Sequence, residues 1–173
     1  MKLTLQRLAD RIAFYEWAYG HLGESDSDIG ALGEFVVARA LGCLPPKRTV
    51  NATFDLVTKE GVTLEVKTTS KLGCRGVYMW NISDQRTALK GRRPLADMWI
   101  FLKTAFPEDA AERRSFDPFE SKYWSCAVLA GETLRASGLV RELRESTLLR
   151  LGAVFGPLDG LAQALRTKLR MEN

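Results

Sequence analysis

The sequence is poor in the residues that most often build metal centres and disulfides. It has one histidine, His21, and three widely separated cysteines, Cys43, Cys74 and Cys126. A single histidine argues against zinc sites and catalytic triads that depend on histidine, and the cysteines lack metal-ligand spacing. An odd number of separated cysteines predicts reduced thiols, and we therefore expect a cytoplasmic protein.

Long apolar runs, internal repeats and low-complexity tracts are also missing. No stretch is apolar enough to cross a membrane and the first residues lack a signal-peptide core, so we expect no membrane partner. The balance of 46% hydrophobic and 27% charged residues is typical of a globular protein. The 173 residues contain no obvious linker and predict a single domain over residues 1–173. The net charge of +4 is too small to identify a partner by its total.

Apolar periodicity predicts helices and strands in an order that favours an α/β fold. The predicted helices are 3–19, a segment from the capping residues 25–28 to about 41, a short helix capped by Ser83, and 131–143, 145–154 and 158–170. The predicted strands are 48–50, 54–57, 62–67, 77–82, 97–102 and 123–129, with a surface excursion at 104–121. We expect a mixed central sheet of about five strands flanked by helices. Its core would lie at about 27–130, between the N-terminal helix and the C-terminal helices 131–170, with 97–102 as a buried central strand.

The segment 54–67 predicts a β-hairpin whose register follows from its apolar residues. A three-residue loop, 59–61, places Gly61 at the left-handed position that such loops favour. In this register the apolar side pairs Thr58 with Val62, Leu56 with Leu64, and Phe54 with Val66. A two-residue loop would shift the register by one residue and mix the two sides.

The polar side of the same hairpin brings two carboxylates together. Asp55 falls opposite Glu65, and directly opposed residues have Cβ atoms about 4.5–5.5 Å apart. Like charges at that distance repel, whereas a divalent cation between them would bind, and oxygen ligands suit Mg²⁺ or Mn²⁺. Lys67 projects from the same face about 7 Å further along the strand. Asp, Glu and Lys around such a metal suit the attack of water on a phosphodiester.

In these residues the chain resembles the PD-(D/E)XK nuclease superfamily, which has the restriction-endonuclease-like fold. The matching residues are Asp55 and, after a nine-residue gap, Glu65-Val66-Lys67, preceded by Gly33-Glu34 on a predicted helix. Phe54 stands where the motif name has proline. The match covers roughly residues 27–103.

The resemblance implies a role for each matching residue. Asp55 and Glu65 would bind the metal, and Val66, which lies between Glu65 and Lys67, would also belong to the metal-binding residues. Lys67 would assist the attacking water, and Glu34 would complete the site from its helix. The implied cofactor is Mg²⁺, for which Mn²⁺ substitutes, and the implied oligomer is a homodimer or a larger homo-oligomer.

A basic segment follows the hairpin. Residues 67–93 contain seven lysines and arginines and one acid, Asp84. Such a one-sided cluster beside a candidate metal site favours contact with a phosphate backbone. Tyr78 and Trp80 lie within it and are candidates for stacking on a base, although core packing is favoured for Trp80. The candidate DNA-binding residues are Thr68, Thr69, Ser70, Lys71, Arg75, Gln85, Arg86, Lys90, Arg92 and Arg93.

The leading hypothesis is a Mg²⁺-dependent DNA endonuclease of the restriction type. A Holliday-junction resolvase or a mobile-element endonuclease would use the same chemistry. From other classes come a DNA-binding module that has lost catalysis and an unrelated α/β interaction protein with a chance motif. The presence of Asp55, Glu65 and Lys67 together argues against a decayed site, which would usually have lost one of them.

Overall fold

The structure is a computed structural model that describes residues 28–43, 54–70, 77–104, 117 and 119–171. The helices are α1 (Asp28–Leu41), α2 (Arg86–Leu89), α3 (Gly131–Ala136), α4 (Glu145–Arg150) and α5 (Leu161–Met171). The strands are β1 (Leu56–Val57), β2 (Thr63–Ser70), β3 (Met79–Asn81), β4 (Met98–Thr104), β5 (Trp124–Ala130), β6 (Glu142–Arg144) and β7 (Gly156–Pro157). No helix within those ranges is long and apolar enough to cross a membrane. The predicted helix 3–19 and strand 48–50, and most of the excursion 104–121, lie outside the described residues.

Five strands form one mixed sheet in the order β1-β2-β4-β5-β7, flanked by helices. β2 and β4 are parallel, and every other neighbouring pair is antiparallel. The predicted α/β fold with a five-stranded mixed sheet is therefore confirmed. β3 is also a strand, as predicted for 77–82, but it pairs with β6 in a separate two-stranded sheet.

The central strand β4 explains why both faces of the sheet are covered. Its residues alternate between two buried clusters, because successive side chains of a strand point to opposite faces. Met98, Ile100 and Leu102 join the cluster that contains α1 and α5 residues. Trp99 and Phe101 join the cluster that contains residues of β3, β6 and the short helices α3 and α4. All five are at most 3% exposed, which confirms the predicted buried central strand.

Side-chain hydrogen bonds fix the start of β2 against the start of β4. Both the amide and the hydroxyl of Thr63 donate to Asp97 Oδ2, at 2.8 and 2.7 Å. The amide of Asp97 donates in return to the Thr63 hydroxyl at 2.9 Å. These bonds hold the two strands in parallel register, with Glu65 opposite Trp99.

The hairpin has the predicted loop. Of the four predicted pairs, Thr58 with Val62 and Leu56 with Leu64 are present. Gly61 has a φ of +85°, and Leu56 pairs with Leu64 as expected. At Asp55 the ladder changes, because its amide also bonds to the Leu64 carbonyl, at 3.0 Å. Two consecutive residues then face one, as in a β-bulge. Phe54 consequently packs with the cluster on the other side of the sheet, so its predicted pairing with Val66 is wrong.

The C-terminal third contains the largest corrections. The predicted helix 131–143 ends at Ala136, where Gly138 with a φ of +70° turns the chain. Residues 142–144 instead form β6, in which Leu143 pairs with Trp80. The predicted helix 145–154 ends at Arg150, before Gly152, whose φ is +83°. β7 was not predicted, and Ser83 is not a helix cap but part of a 3₁₀ turn at Ser83–Gln85.

Helix α1 packs closely against β2 at Gly33. A Cβ atom added there would lie 1.8 Å from the Thr68 hydroxyl oxygen and 2.9 Å from the Thr68 Cβ. The glycine is therefore required by contact with the strand, although glycine lowers helix stability by about 1 kcal/mol relative to alanine.

We expect Gly33→Ala to destabilise the fold despite the better helix propensity of alanine. Overpacking of this kind costs about 1–3 kcal/mol, which urea denaturation would measure as a lower free energy of unfolding. Gly160→Ala is the control, since nothing lies within 4 Å of a Cβ at Gly160. Thr68→Ala should relieve part of the loss in a double-mutant cycle. A Gly33→Ala variant as stable as wild type would show that the helix is not held this close.

Candidate functional site

Glu65 is a buried carboxylate in the middle of the sheet. It lies on β2 between Leu64 and Val66, which face the α1 and α5 side, so Glu65 faces the opposite side. Its parallel neighbour on β4 is Trp99. The side chain is about as inaccessible as the core around it, with 1% of the residue exposed. A carboxylate in that position requires a nearby partner, because burial of an unpaired charge is costly.

Asp55 reaches the same region from the end of β1. Its Oδ2 accepts a hydrogen bond from the amide of Val66 at 2.7 Å, and its own amide donates to Leu64. The bulge replaces the predicted direct opposition of Asp55 and Glu65 in the ladder. The two carboxylates are nevertheless close enough for the charge of Asp55 to raise the pKa of Glu65.

Lys67 lies between two acidic side chains. Its Nζ is 2.7 Å from Glu65 Oε1 and 2.7 Å from Asp84 Oδ2. The lysine side chain is 16% exposed, whereas that of Asp84 is 56% exposed. The ammonium group therefore connects the buried carboxylate to one at the surface.

Asp84 is the site residue that the sequence analysis missed. It lies in the 3₁₀ turn after β3, far from the hairpin along the chain, and the sequence showed it only as the single acid of a basic segment. The Asn81 side chain holds this turn, since its Oδ1 accepts a bond from the Ser83 amide at 2.9 Å. Its position as the single acid of the basic segment was the one signal in the sequence that could have identified Asp84.

The charges of this cluster shift the pKa values of both central groups. Burial is the largest effect on Glu65 and, with the negative charge of Asp55, raises its pKa to about 8 despite the opposing charge of Lys67. Burial by itself would lower the pKa of Lys67, but Glu65, Asp55 and Asp84 together raise it above the ordinary value. Lys67 is consequently charged at neutral pH, and Glu65 holds its proton more tightly than an ordinary carboxyl group.

The oxygen ligands present suit a hard divalent cation. Glu65 Oε1 is buried and lies 2.7 Å from the Lys67 ammonium group. Across the described residues, no three His, Cys, Asp or Glu side chains converge to hold a metal ion. Mg²⁺ usually takes one or two protein carboxylates and completes its shell with water and substrate phosphate. Asp55 and Glu65 fit that requirement.

The remaining catalytic candidate is Glu34. It lies half-buried on α1, next to the close contact of Gly33 with Thr68. The charges that shift the pKa of Glu65 come from Asp55, Lys67 and Asp84. A role for Glu34 in the site therefore stays a prediction.

The DNA-binding candidates fall into two groups by exposure. Thr68 and Ser70 are half-buried on β2, Thr69 is 5% exposed, and Gln85 is half-buried in the 3₁₀ turn. Lys71 and Arg75 lie outside the described residues. The exposed candidates are Arg86, Lys90, Arg92 and Arg93.

The aromatic candidates lie beside a second ion pair on the same face. Trp80 is buried and its indole N–H donates to the Leu102 carbonyl at 2.8 Å, which confirms the expected core packing. Tyr78 stacks on Trp80 and lies 5.1 Å from the Lys103 ammonium. Lys103 in turn is paired with Glu145. The Tyr78 ring therefore already interacts with the charged Lys103 side chain.

The raised pKa of Glu65 predicts how the stability of the metal-free protein depends on pH. Its folded-state value of about 8 lies above the ordinary 4.5, so the folded state binds this proton more tightly. The resulting stabilisation is complete below the ordinary value and is lost as the pH rises through the folded-state value. In EDTA, the melting temperature of wild type relative to Glu65→Gln should fall across that window. A difference that does not change with pH would show that Glu65 ionises normally.

No family model matches the chain, and no curated protein matches it. The resemblance to PD-(D/E)XK nucleases therefore stays a prediction from the motif of Asp55, Glu65 and Lys67. The geometry of that motif, with Asp84 added, is the basis for assigning a function.

Proposed function

We propose that this chain is a Mg²⁺-dependent endonuclease of the restriction type, which hydrolyses phosphodiester bonds in DNA. The observation that carries the proposal is the contact of Lys67 with the buried Glu65, beside Asp55. A buried ion pair is often no more stabilising than apolar residues of similar volume. Strongly shifted pKa values from burial and specific charges are characteristic of functional sites.

The two carboxylates would hold the metal. Asp55 is fixed by its bonds to Leu64 and Val66, and Glu65 offers a buried oxygen beside the Lys67 ammonium group. When bound, Mg²⁺ would lower the pKa of a coordinated water and neutralise negative charge on the phosphate. Because burial and Asp55 raise the pKa of Glu65, a metal ion would compete with a proton for this carboxylate.

Lys67 acts in this proposal as a hydrogen-bond donor. An ammonium group has three donors and no acceptor, so it does not ligate a cation. Its raised pKa keeps it charged, and a charged lysine orients water or stabilises a phosphate but does not remove a proton. Asp84, 2.7 Å from the same ammonium group, helps to position it.

The surface beyond Asp84 supports a polyanionic substrate. Arg86, Lys90, Arg92 and Arg93 are exposed and follow Asp84 within nine residues. No ion pair joins any of them to an acid in the described part of the chain. Positive charge without an internal partner is available to phosphate groups.

Asp55→Ala and Glu65→Ala should each reduce metal-dependent cleavage to the level seen in EDTA, because each removes a metal ligand. Purified protein would be incubated with plasmid, linear and branched DNA in Mg²⁺, Mn²⁺ or EDTA, and the products resolved on gels. Asp159→Ala is the matched control, since it removes an exposed carboxylate in the 3₁₀ turn before α5. Asp55→Asn keeps an oxygen acceptor for the Val66 amide, and it separates loss of ligand from loss of structure.

The substrate arms distinguish the related activities. Discrete fragments from linear DNA would support the restriction type, and cleavage of branched DNA alone would indicate a resolvase. Full activity in Asp55→Ala or Glu65→Ala would remove that residue from the site. If wild type cleaves none of the substrates in either metal, the nuclease proposal is wrong.

A further inference from the structure

A polar groove lies beside the turn that contains Asp84. It encloses about 390 Å³ between this turn and the segment that leads into β6. Its lining residues are Asn81, Ser83, Arg86, Val140, Arg141 and Glu142. Ser83 directly precedes Asp84, whose carboxylate contacts Lys67. The groove therefore begins within a few residues of the candidate active site.

Main-chain bonds hold the two walls of the groove together. The amide of Ile82 donates to the Arg141 carbonyl at 2.7 Å, and Asn81 pairs with Glu142 in the two-stranded sheet. Ile82 is fully buried, so the strand that carries the wall is anchored in the core. The backbone positions from which the polar side chains extend are thus set before any ligand binds.

The charge of the groove is positive. Arg86 and Arg141 are both exposed, and neither forms an ion pair with an acid among the described residues. Glu142 contributes one negative charge to the lining, which leaves an excess of one positive charge. Two arginines from separate elements line the groove together with a hydroxyl and an amide, and guanidinium groups are well suited to bind phosphate oxygens.

We propose that this groove binds phosphate groups of the nucleic-acid strand next to the bond that is cut, with Arg141 and Arg86 as the main contacts. The inference rests on the proposed function for the identity of the strand. The phosphate contacts themselves do not require the metal, so the groove is testable without catalysis. Arg141 lies 74 residues after Lys67 in the sequence, and pairing of β3 with β6 brings its segment to the site.

The test is the salt dependence of binding in EDTA, where cleavage does not occur. Fluorescence anisotropy would follow labelled oligonucleotides of mixed sequence, as duplex DNA, single-stranded DNA and RNA. Each phosphate that a cation neutralises contributes about −0.9 to the slope of log K against log salt on duplex DNA and about −0.7 on single strands. Arg141→Ala and Arg86→Ala should each flatten the slope by about that amount on the form that binds. Glu142→Gln should tighten binding, because it removes a repelling charge.

Arg166→Ala is the control for loss of one positive charge. Arg166 is exposed on α5, which packs on the opposite face of the main sheet, and it bonds to the Gln163 side chain. The proposal that the groove binds phosphate would be overturned by an unchanged slope in Arg141→Ala. It would also be overturned if Arg166→Ala flattened the slope equally, and both outcomes are independent of whether the protein cleaves DNA. Absence of binding by wild type at low salt would overturn it too. Groove-dependent binding without cleavage in Mg²⁺ or Mn²⁺ would keep the groove and reject the nuclease.

Discussion

The burial of Glu65 is the constraint on which the site depends. A carboxylate with 1% exposure in the middle of a sheet is unfavourable unless a cation or a proton neutralises it. Lys67 supplies a positive charge 2.7 Å from Glu65 Oε1, and burial together with the charge of Asp55 raises the pKa of Glu65. Positive charge beside this carboxylate is therefore favoured.

Three separate segments meet around this carboxylate. Asp55 comes from the bulge at the end of β1, Lys67 from β2, and Asp84 from the turn after β3. Each segment is fixed by its own main-chain bonds or by burial in the sheet. In the proposed reaction, such preorganisation would lower the reorganisation needed, which is the main advantage of electrostatic catalysis in an enclosed site.

Local patterns in the sequence predicted the parts of the fold that depend on near neighbours. The loop at Gly61 and the pairing of Leu56 with Leu64 follow from turn chemistry and alternation. The buried central strand follows from its unbroken apolar run. The motif brought Glu65 and Lys67 to one face, and the structure places them in contact.

The parts that failed depend on contacts that the local apolar pattern does not record. The bulge at Asp55 arises because the Asp55 amide donates to the Leu64 carbonyl, which the apolar pattern of the sequence does not reveal. It moves Phe54 to the other face of the sheet. β6 has a helical pattern locally, but pairing of Leu143 with Trp80 determines its conformation. Asp84 belongs to the site only because β3 packs beside β2.

The most direct test is calorimetric titration of Mn²⁺ into the free protein in buffers of different ionisation enthalpy. Near neutral pH, binding should release about one proton, because Glu65 must ionise to act as a ligand. The release should disappear as the pH rises well above the Glu65 value of about 8, and Glu65→Gln should bind much more weakly. No Mn²⁺ binding, or equal binding by Glu65→Gln without proton release in wild type, would contradict a metal site at this carboxylate.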